Sequence, residues 1–166
     1  MTAAGQLPPA LYLQRFYARQ AGAVNAGDFD AYRDTFTPAA EFRVDGRAAA
    51  LRGAEAIAEH SRRLAAERAA GGAVQRHHIT LTAVAHRADG TLTARSATLI
   101  VTTPPHGAPV VTASTECEDE FDDTAGLLRV RSRRVTRDTA PGGPGRSTEP
   151  GKETPWRTRR PTRAGS

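Results

Sequence analysis

Apolar residues recur at helical spacing near the start of the chain. Leu13, Phe16, Tyr17, Ala21 and Val24 fall on one helix face. Pro8-Pro9 suits the entry to that helix, where a missing amide hydrogen costs little. Gly27 stops it, because glycine takes the left-handed cap conformation easily. Asp28 then caps a second helix whose apolar face is Phe29, Tyr32 and Phe36, closed by Thr37-Pro38. Phe42 and Val44 alternate with Glu41, Arg43 and Asp45, which predicts a short strand ended by Gly46. A third, alanine-rich helix is expected over 53–69, with Ile57, Ser61, Leu64 and Ala65 on its inner side and Gly71-Gly72 at its end.

Beyond that point the period changes from helical to two. Strands are predicted over 74–87, 91–103, 109–121 and 127–137. The segments between them, Ala88-Asp89-Gly90, Pro104-Pro105-His106-Gly107 and Asp122-Asp123-Thr124-Ala125-Gly126, are turn sequences for consecutive antiparallel strands. Helices first and a meander afterwards imply an α+β fold: a curved antiparallel sheet with three N-terminal helices on its concave face. Such a cone encloses a cavity suited to a small ligand. The folded domain is expected over residues 9–138. Residues 139–166 hold five prolines and five glycines with no apolar periodicity, the composition of a disordered tail.

Charge refines this picture. The formal net charge of +5 hints at nucleic acid, but its distribution argues otherwise. The tail carries six basic side chains against two acidic ones, whereas residues 1–138 carry 17 against 16. The folded part is therefore near neutral, and no specific nucleic-acid partner is expected. One lysine stands against 22 arginines, which reads as coding bias. Cys117 is the only cysteine, so an intrachain disulfide and a cysteine metal cluster are both excluded. A reducing cytoplasm fits that usage, and neither a signal peptide nor a membrane-length apolar run is expected.

Four stretches carry a family resemblance: Asn25-Ala26-Gly27-Asp28-Phe29-Asp30, Phe42-Arg43-Val44-Asp45, Gln75-Arg76-His77-His78-Ile79, and Asp119-Glu120-Phe121 with Arg133-Arg134-Val135. In this order and spacing the chain resembles the SnoaL-like branch of the nuclear-transport-factor-2-like superfamily. The resemblance implies the cone fold and a dimer formed sheet to sheet. It leaves activity open, since the superfamily spans polyketide cyclases, dehydratases, isomerases and plain ligand-binding modules. Scytalone-dehydratase-like proteins pair an aspartate at the helix bend with two strand histidines. Here His77 matches the first histidine, Asn25 stands at the bend, Ser96 takes the second histidine's place, and Ser114 takes that of an asparagine on the next strand.

Candidate chemistry centres on His77. It shares a strand face with Ile79, Leu81 and Ala83, so it should point into the cone, while His78 and His86 face solvent. Near neutral pH it is either a general acid or base or a hydrogen-bonded core histidine. Glu116 is a possible partner if Ser114 lines the cavity; otherwise it belongs to a solvated charge cluster with Asp119, Asp122 and Asp123. Tyr17, Asn25, Tyr32, Ser96 and Ser114 are the candidate substrate-binding residues, and Cys117 and His60 read as packing. The sequence holds no phosphate loop, nucleophile elbow or zinc spacing, so no cofactor and no metal is expected. The expected function is acid–base lyase, isomerase or cyclase chemistry on a hydrophobic polyketide-like metabolite. The rival is a non-catalytic ligand-binding or subunit-assembly module. Removal of residues 139–166 should leave the melting temperature of the remaining chain nearly unchanged, measured by thermal denaturation; a large drop would show that the tail docks on the domain.

Overall fold

A computed structural model describes residues 8–124 and 127–138 of the chain. The elements run α1 (Pro9–Ala26), α2 (Phe29–Arg33), β1 (Phe36–Val44), β2 (Leu51–Arg52), α3 (Ala54–Ala70), β3 (Val74–His86), β4 (Leu92–Thr103), β5 (Val110–Asp122) and β6 (Arg129–Arg137). The expected tail lies outside the described residues.

The helix signals act as read. Pro9 opens α1, and Gly27 caps it with φ +75°, a left-handed conformation that suits glycine. The Asp28 side chain accepts the Ala31 amide at 3.0 Å and so caps α2. The second helix differs from expectation. It ends at Arg33, and Phe36, Thr37 and Pro38 already belong to β1. Proline is tolerated there because the β1–β6 register shifts between Phe36 and Glu41, so the ladder is interrupted at Pro38. The two-residue strand β2, which pairs with β1 through Phe42 and Leu51, had no counterpart in the sequence pattern.

The six strands form one sheet in the order β2-β1-β6-β5-β4-β3. The meander β3 to β6 is antiparallel as expected, but β1 joins β6 in parallel. Register shifts interrupt each of the three ladders of the meander, between Leu81 and Ala83, Ile100 and Val101, and Glu120 and Phe121. Each extra residue bends and twists its strand, which curves the sheet around the helices. Helix α1 packs on β3, and α3 packs on β1 and α2.

The core sits in that concavity. Phe16, Tyr17 and Phe121 make edge-on ring contacts with centroids 5.2 to 6.2 Å apart, and Tyr32 meets Phe36 at 5.1 Å. Within this apolar environment lies an ion pair. Arg133 on β6 donates two hydrogen bonds of 2.7 Å to the Asp119 carboxylate on β5, and both side chains are buried. Tyr17 on α1 donates a third, also 2.7 Å, to Asp119 Oδ2. Asp119 thus does not belong to a solvated cluster. Removing one partner of such a pair leaves a buried charge uncompensated, at a cost of about 3–5 kcal/mol. Asp119→Asn should therefore lower the unfolding free energy by about that amount in urea denaturation, whereas Tyr17→Phe should cost about 1–3 kcal/mol. A change under about 1 kcal/mol in Asp119→Asn would show that the pair does not hold the core.

Candidate active site

Between the sheet and helices α1 to α3 lies a cavity of about 390 Å³. Its apolar walls come from Val24, Phe42, Val44, Leu64, Ile79 and Ile100. Buried polar groups form its floor: Gln20, Thr98, Thr115, Cys117 and Arg133, with Tyr32 beside them. Arg47, His60, Arg68 and Arg137, which are exposed or half-buried, lie toward its open side.

His77 lines this cavity from β3, as strand parity requires, while His78 is exposed. Asn25, in the last turn of α1, holds it in place. The Asn25 amide Nδ2 donates to the His77 carbonyl at 3.3 Å, and its Oδ1 accepts the His77 backbone N–H at 2.8 Å. These two backbone bonds fix which end of the amide is oxygen. The His77 ring nitrogen Nδ1 lies 3.0 Å from that same Oδ1, which can only accept. Nδ1 must then carry the proton, and Nε2 is left as a lone-pair acceptor for the cavity. Burial lowers the His77 pKa to about 4, with further lowering from the Arg68 guanidinium and from His78. The ring is therefore a neutral base at pH 7.

The other expected residues divide. Tyr32 lines the cavity, and burial raises its pKa, so its hydroxyl stays protonated at neutral pH. Asn25 acts through His77 and is not itself a lining residue. Tyr17 and Ser96 lie behind the floor. Both are buried, and Tyr17 is bonded to Asp119 and to Ser96. Burial and the adjacent Asp119 carboxylate also hold the Tyr17 hydroxyl protonated.

Glu116 and Ser114 do not reach the cavity. In the β4–β5 ladder Ser96 pairs with Cys117, and Ala97 pairs with Glu116. Paired residues share a sheet face, so the inward Ser96 puts Cys117 inside and Glu116 outside. Glu116 lies 3.6 Å from Arg95 on the outer face, and Ser114 donates to Asp138. The expectation for β5 was one residue out of phase, because it rested on Ser114 facing inward. Arg133, Gln20, Thr115 and Cys117 are the lining residues that this phase error or their polarity concealed. Gln20 had a readable signal: it extends the buried α1 stripe of Leu13, Phe16, Tyr17 and Ala23. Its Nε2 donates to Thr35 Oγ1 at 2.8 Å, and its buried Oε1 has no partner among the described residues.

His60 lies within 3.2 Å of Arg47 Nη1 and 2.9 Å of Arg63 Nη2 through its two ring nitrogens. A neutral imidazole offers one acceptor, so only one of these contacts is a hydrogen bond at a time. Burial and the two guanidinium groups lower the His60 pKa. Among the described residues, no three His, Cys, Asp or Glu side chains gather as a metal-ligand set.

A one-sided cavity between a curved sheet and three helices, with an oriented imidazole in its wall, defines a cone that encloses a space of small-molecule size. The chain belongs to the SnoaL-like domain family, whose model matches residues 11–134. It is 34% identical to Aln2 from a Streptomyces species, covering 80% of this chain and 95% of that one with a TM-score of 0.70. It is 31% identical to ActVI-ORFA from Streptomyces coelicolor, covering 80% and 98%, with a TM-score of 0.72. A Catenulispora acidiphila protein solved in complex with S-DNPA is 34% identical, covering 79% and 96%, with a TM-score of 0.65. The architecture is also that of an ntf2-like protein with a cystatin-like fold. No curated protein matches the chain.

The lowered His77 pKa has a signed consequence. Between the ordinary value of 6.5 and about 4, the unfolded chain binds more protons at this residue than the folded one. Its contribution to stability is therefore complete above pH 6.5 and is lost as pH falls toward 4, at up to about 1.4 kcal/mol per pH unit. Urea midpoints of the wild type should fall more steeply than those of His77→Asn across that window. In the same titration followed by NMR, Asn25→Asp should raise the His77 pKa, because a carboxylate in place of the amide stabilises the imidazolium. Equal slopes in wild type and His77→Asn would show that His77 is not held neutral.

Proposed function

We propose that the protein is a cofactor-independent lyase, isomerase or cyclase that acts by acid–base chemistry on a hydrophobic, polyketide-like metabolite. The observation that carries this reading is the orientation of His77. Its Nδ1–H is committed to Asn25, and its Nε2 is the base in the cavity wall. A base of low pKa suits a substrate whose C–H is itself acidic, such as a methylene between two carbonyls. Nε2 takes that proton, the electron pair moves onto a carbonyl oxygen as an enolate, and the same nitrogen later returns the proton to a leaving hydroxyl or a new alkoxide. The Tyr32 hydroxyl and the Arg133 guanidinium are the donors available to the enolate oxygen. The substrate class rests on the family, and the S-DNPA complex of a relative supports a small-molecule ligand.

A second reading has its own support. Among the described residues no carboxylate lines the cavity, so His77 lacks an acid–base partner of the kind Glu116 was expected to be. A module that binds a hydrophobic ligand without turnover fits that lining. The domain proposed for either role spans residues 9–138, and its buried thiol fits a cytoplasmic location.

We also propose a homodimer through the outer sheet face. Leu99 and Val111 are 43% and 61% exposed there, on neighbouring strands. Sedimentation at micromolar concentration should give twice the chain mass; a monomer would overturn the dimer.

The catalytic reading is tested by substitution. With β-polyketone substrates assayed for loss of water or ring closure, His77→Asn should retain the fold and lose ~10²–10⁴-fold in turnover. His78→Asn, on the outer face, should be nearly silent. Undiminished turnover in His77→Asn removes the residue from the mechanism, and binding without turnover in the wild type selects the second reading.

A further inference from the structure

The charges that line the cavity are all of one sign. Arg47, Arg68, Arg133 and Arg137 line it, and among the described residues no aspartate or glutamate does. Arg133 is neutralised from behind by Asp119. The other three form no salt bridge among the described residues, although the folded part of the chain holds almost equal numbers of acidic and basic side chains. The outer sheet face shows the contrast: Arg95, Arg131 and Arg134 each meet a carboxylate there. Among the described residues the carboxylates thus lie off the cavity, while three guanidinium groups with no salt-bridge partner line it.

These three arginines come from separate elements. Arg47 sits in the turn after β1, Arg68 in the last helical turn of α3, and Arg137 at the end of β6. Arg68 is half-buried, and burial lowers its pKa; the adjacent Glu67 offsets this only in part. Its charge is thus partly stripped of water. Holding like charges together around an apolar space costs free energy that an anion would recover. The cavity walls below them are apolar, and its volume of about 390 Å³ lies in the ~300–1,000 Å³ range of small-molecule sites.

We propose that the ligand of this cavity is an organic acid: an apolar, ring-sized body seated between Val44, Leu64, Ile79 and Ile100, with a carboxylate held at the opening by Arg68, Arg137 and Arg47. The inference rests on the reading of the cavity as the ligand site and adds the charge of the ligand to it. A planar guanidinium matches a carboxylate through two parallel hydrogen bonds, which positions the acid as well as attracting it. Seated this way, the acid places its ring body against the wall that carries His77.

The test uses two probes of one shape on the full-length chain: 2-naphthoate, which is charged, and 2-naphthamide, which is neutral. Calorimetric titration at low ionic strength should give about tenfold or greater preference for the acid, shrinking as salt is added. Both probes should perturb the NMR signals of the His77 ring, which locates them in the cavity. Arg68→Gln and Arg137→Gln should each weaken 2-naphthoate several-fold and leave 2-naphthamide unchanged, while Arg15→Gln on the exposed side of α1 should change neither. Equal affinities for acid and amide, no binding of the acid, or a preference that survives Arg68→Gln and Arg137→Gln together would overturn the proposal. Those outcomes leave the acid–base reading standing if His77→Asn still abolishes turnover, so the two are separable.

Discussion

The buried contact between Asp119 and Arg133 constrains most of this structure. A carboxylate and a guanidinium removed from water are tolerable only when every strong hydrogen-bonding position is used. Here Arg133 fills both carboxylate oxygens, and the Tyr17 hydroxyl adds a third bond. That arrangement ties β5, β6 and α1 together at one point. It also fixes register. Asp119 lies opposite Arg133 in the β5–β6 ladder, and a slip of one residue would oppose it to Ser132 or Arg134 and turn Arg133 to the other face. Because β6 also pairs with β1, the register set by the ion pair reaches Phe42 and Val44, which form part of the cavity wall. The Arg133 guanidinium, 5.7 Å from the Phe36 ring centre, also packs on the first residue of β1.

A second constraint shapes the site. Strand β3 is the sheet edge, so alternate residues have backbone groups with no neighbouring strand to bond. At His77 the Asn25 side chain takes the place of that missing strand, accepting the N–H and donating to the C=O. One amide thus covers the edge, anchors the end of α1 and orients the imidazole. The Gly27 cap and the tight bend into α2 put Asn25 where it can do this. A site residue whose ring is fixed by the same group that closes the sheet edge keeps its geometry as long as the fold persists.

Much of this was readable from the chain. Helix ends followed from Pro9, Gly27, Asp28 and Gly71, and the strands of the meander from period-two patterning. The inward face of β3 was legible because Ile79 and Leu81 follow His77 in phase. Two features were not legible, for definite reasons. Pro38 reads locally as a helix stop, and only the register shift opposite β6 lets it sit in a strand. Asp119 reads as surface charge because its partner is 14 residues away on the next strand. The phase of β5 depended on the same fact: Thr115, Cys117, Asp119 and Phe121 are its buried side, and that pattern looks amphipathic only once Asp119 is known to be paired. Arg133 was hidden likewise, since an alternating run of arginines gives no sign of which one turns inward.

The two ends of the cavity carry charge in different states, and this bears on what His77 can do. At the floor, the positive charge of Arg133 is cancelled by Asp119. At the opening, Arg68 adds to burial in holding His77 unprotonated. In the proposed reaction, negative charge that develops on the ligand meets the Tyr32 hydroxyl and the Arg133 guanidinium, and the imidazole need not be protonated in advance to provide a donor. A His77 paired with an aspartate at position 25 would start closer to the imidazolium form and would be poorer at taking the first proton. The amide at that position thus favours chemistry that begins with proton abstraction by a neutral ring, and the exposed His78, one residue away on the opposite face, has none of these controls.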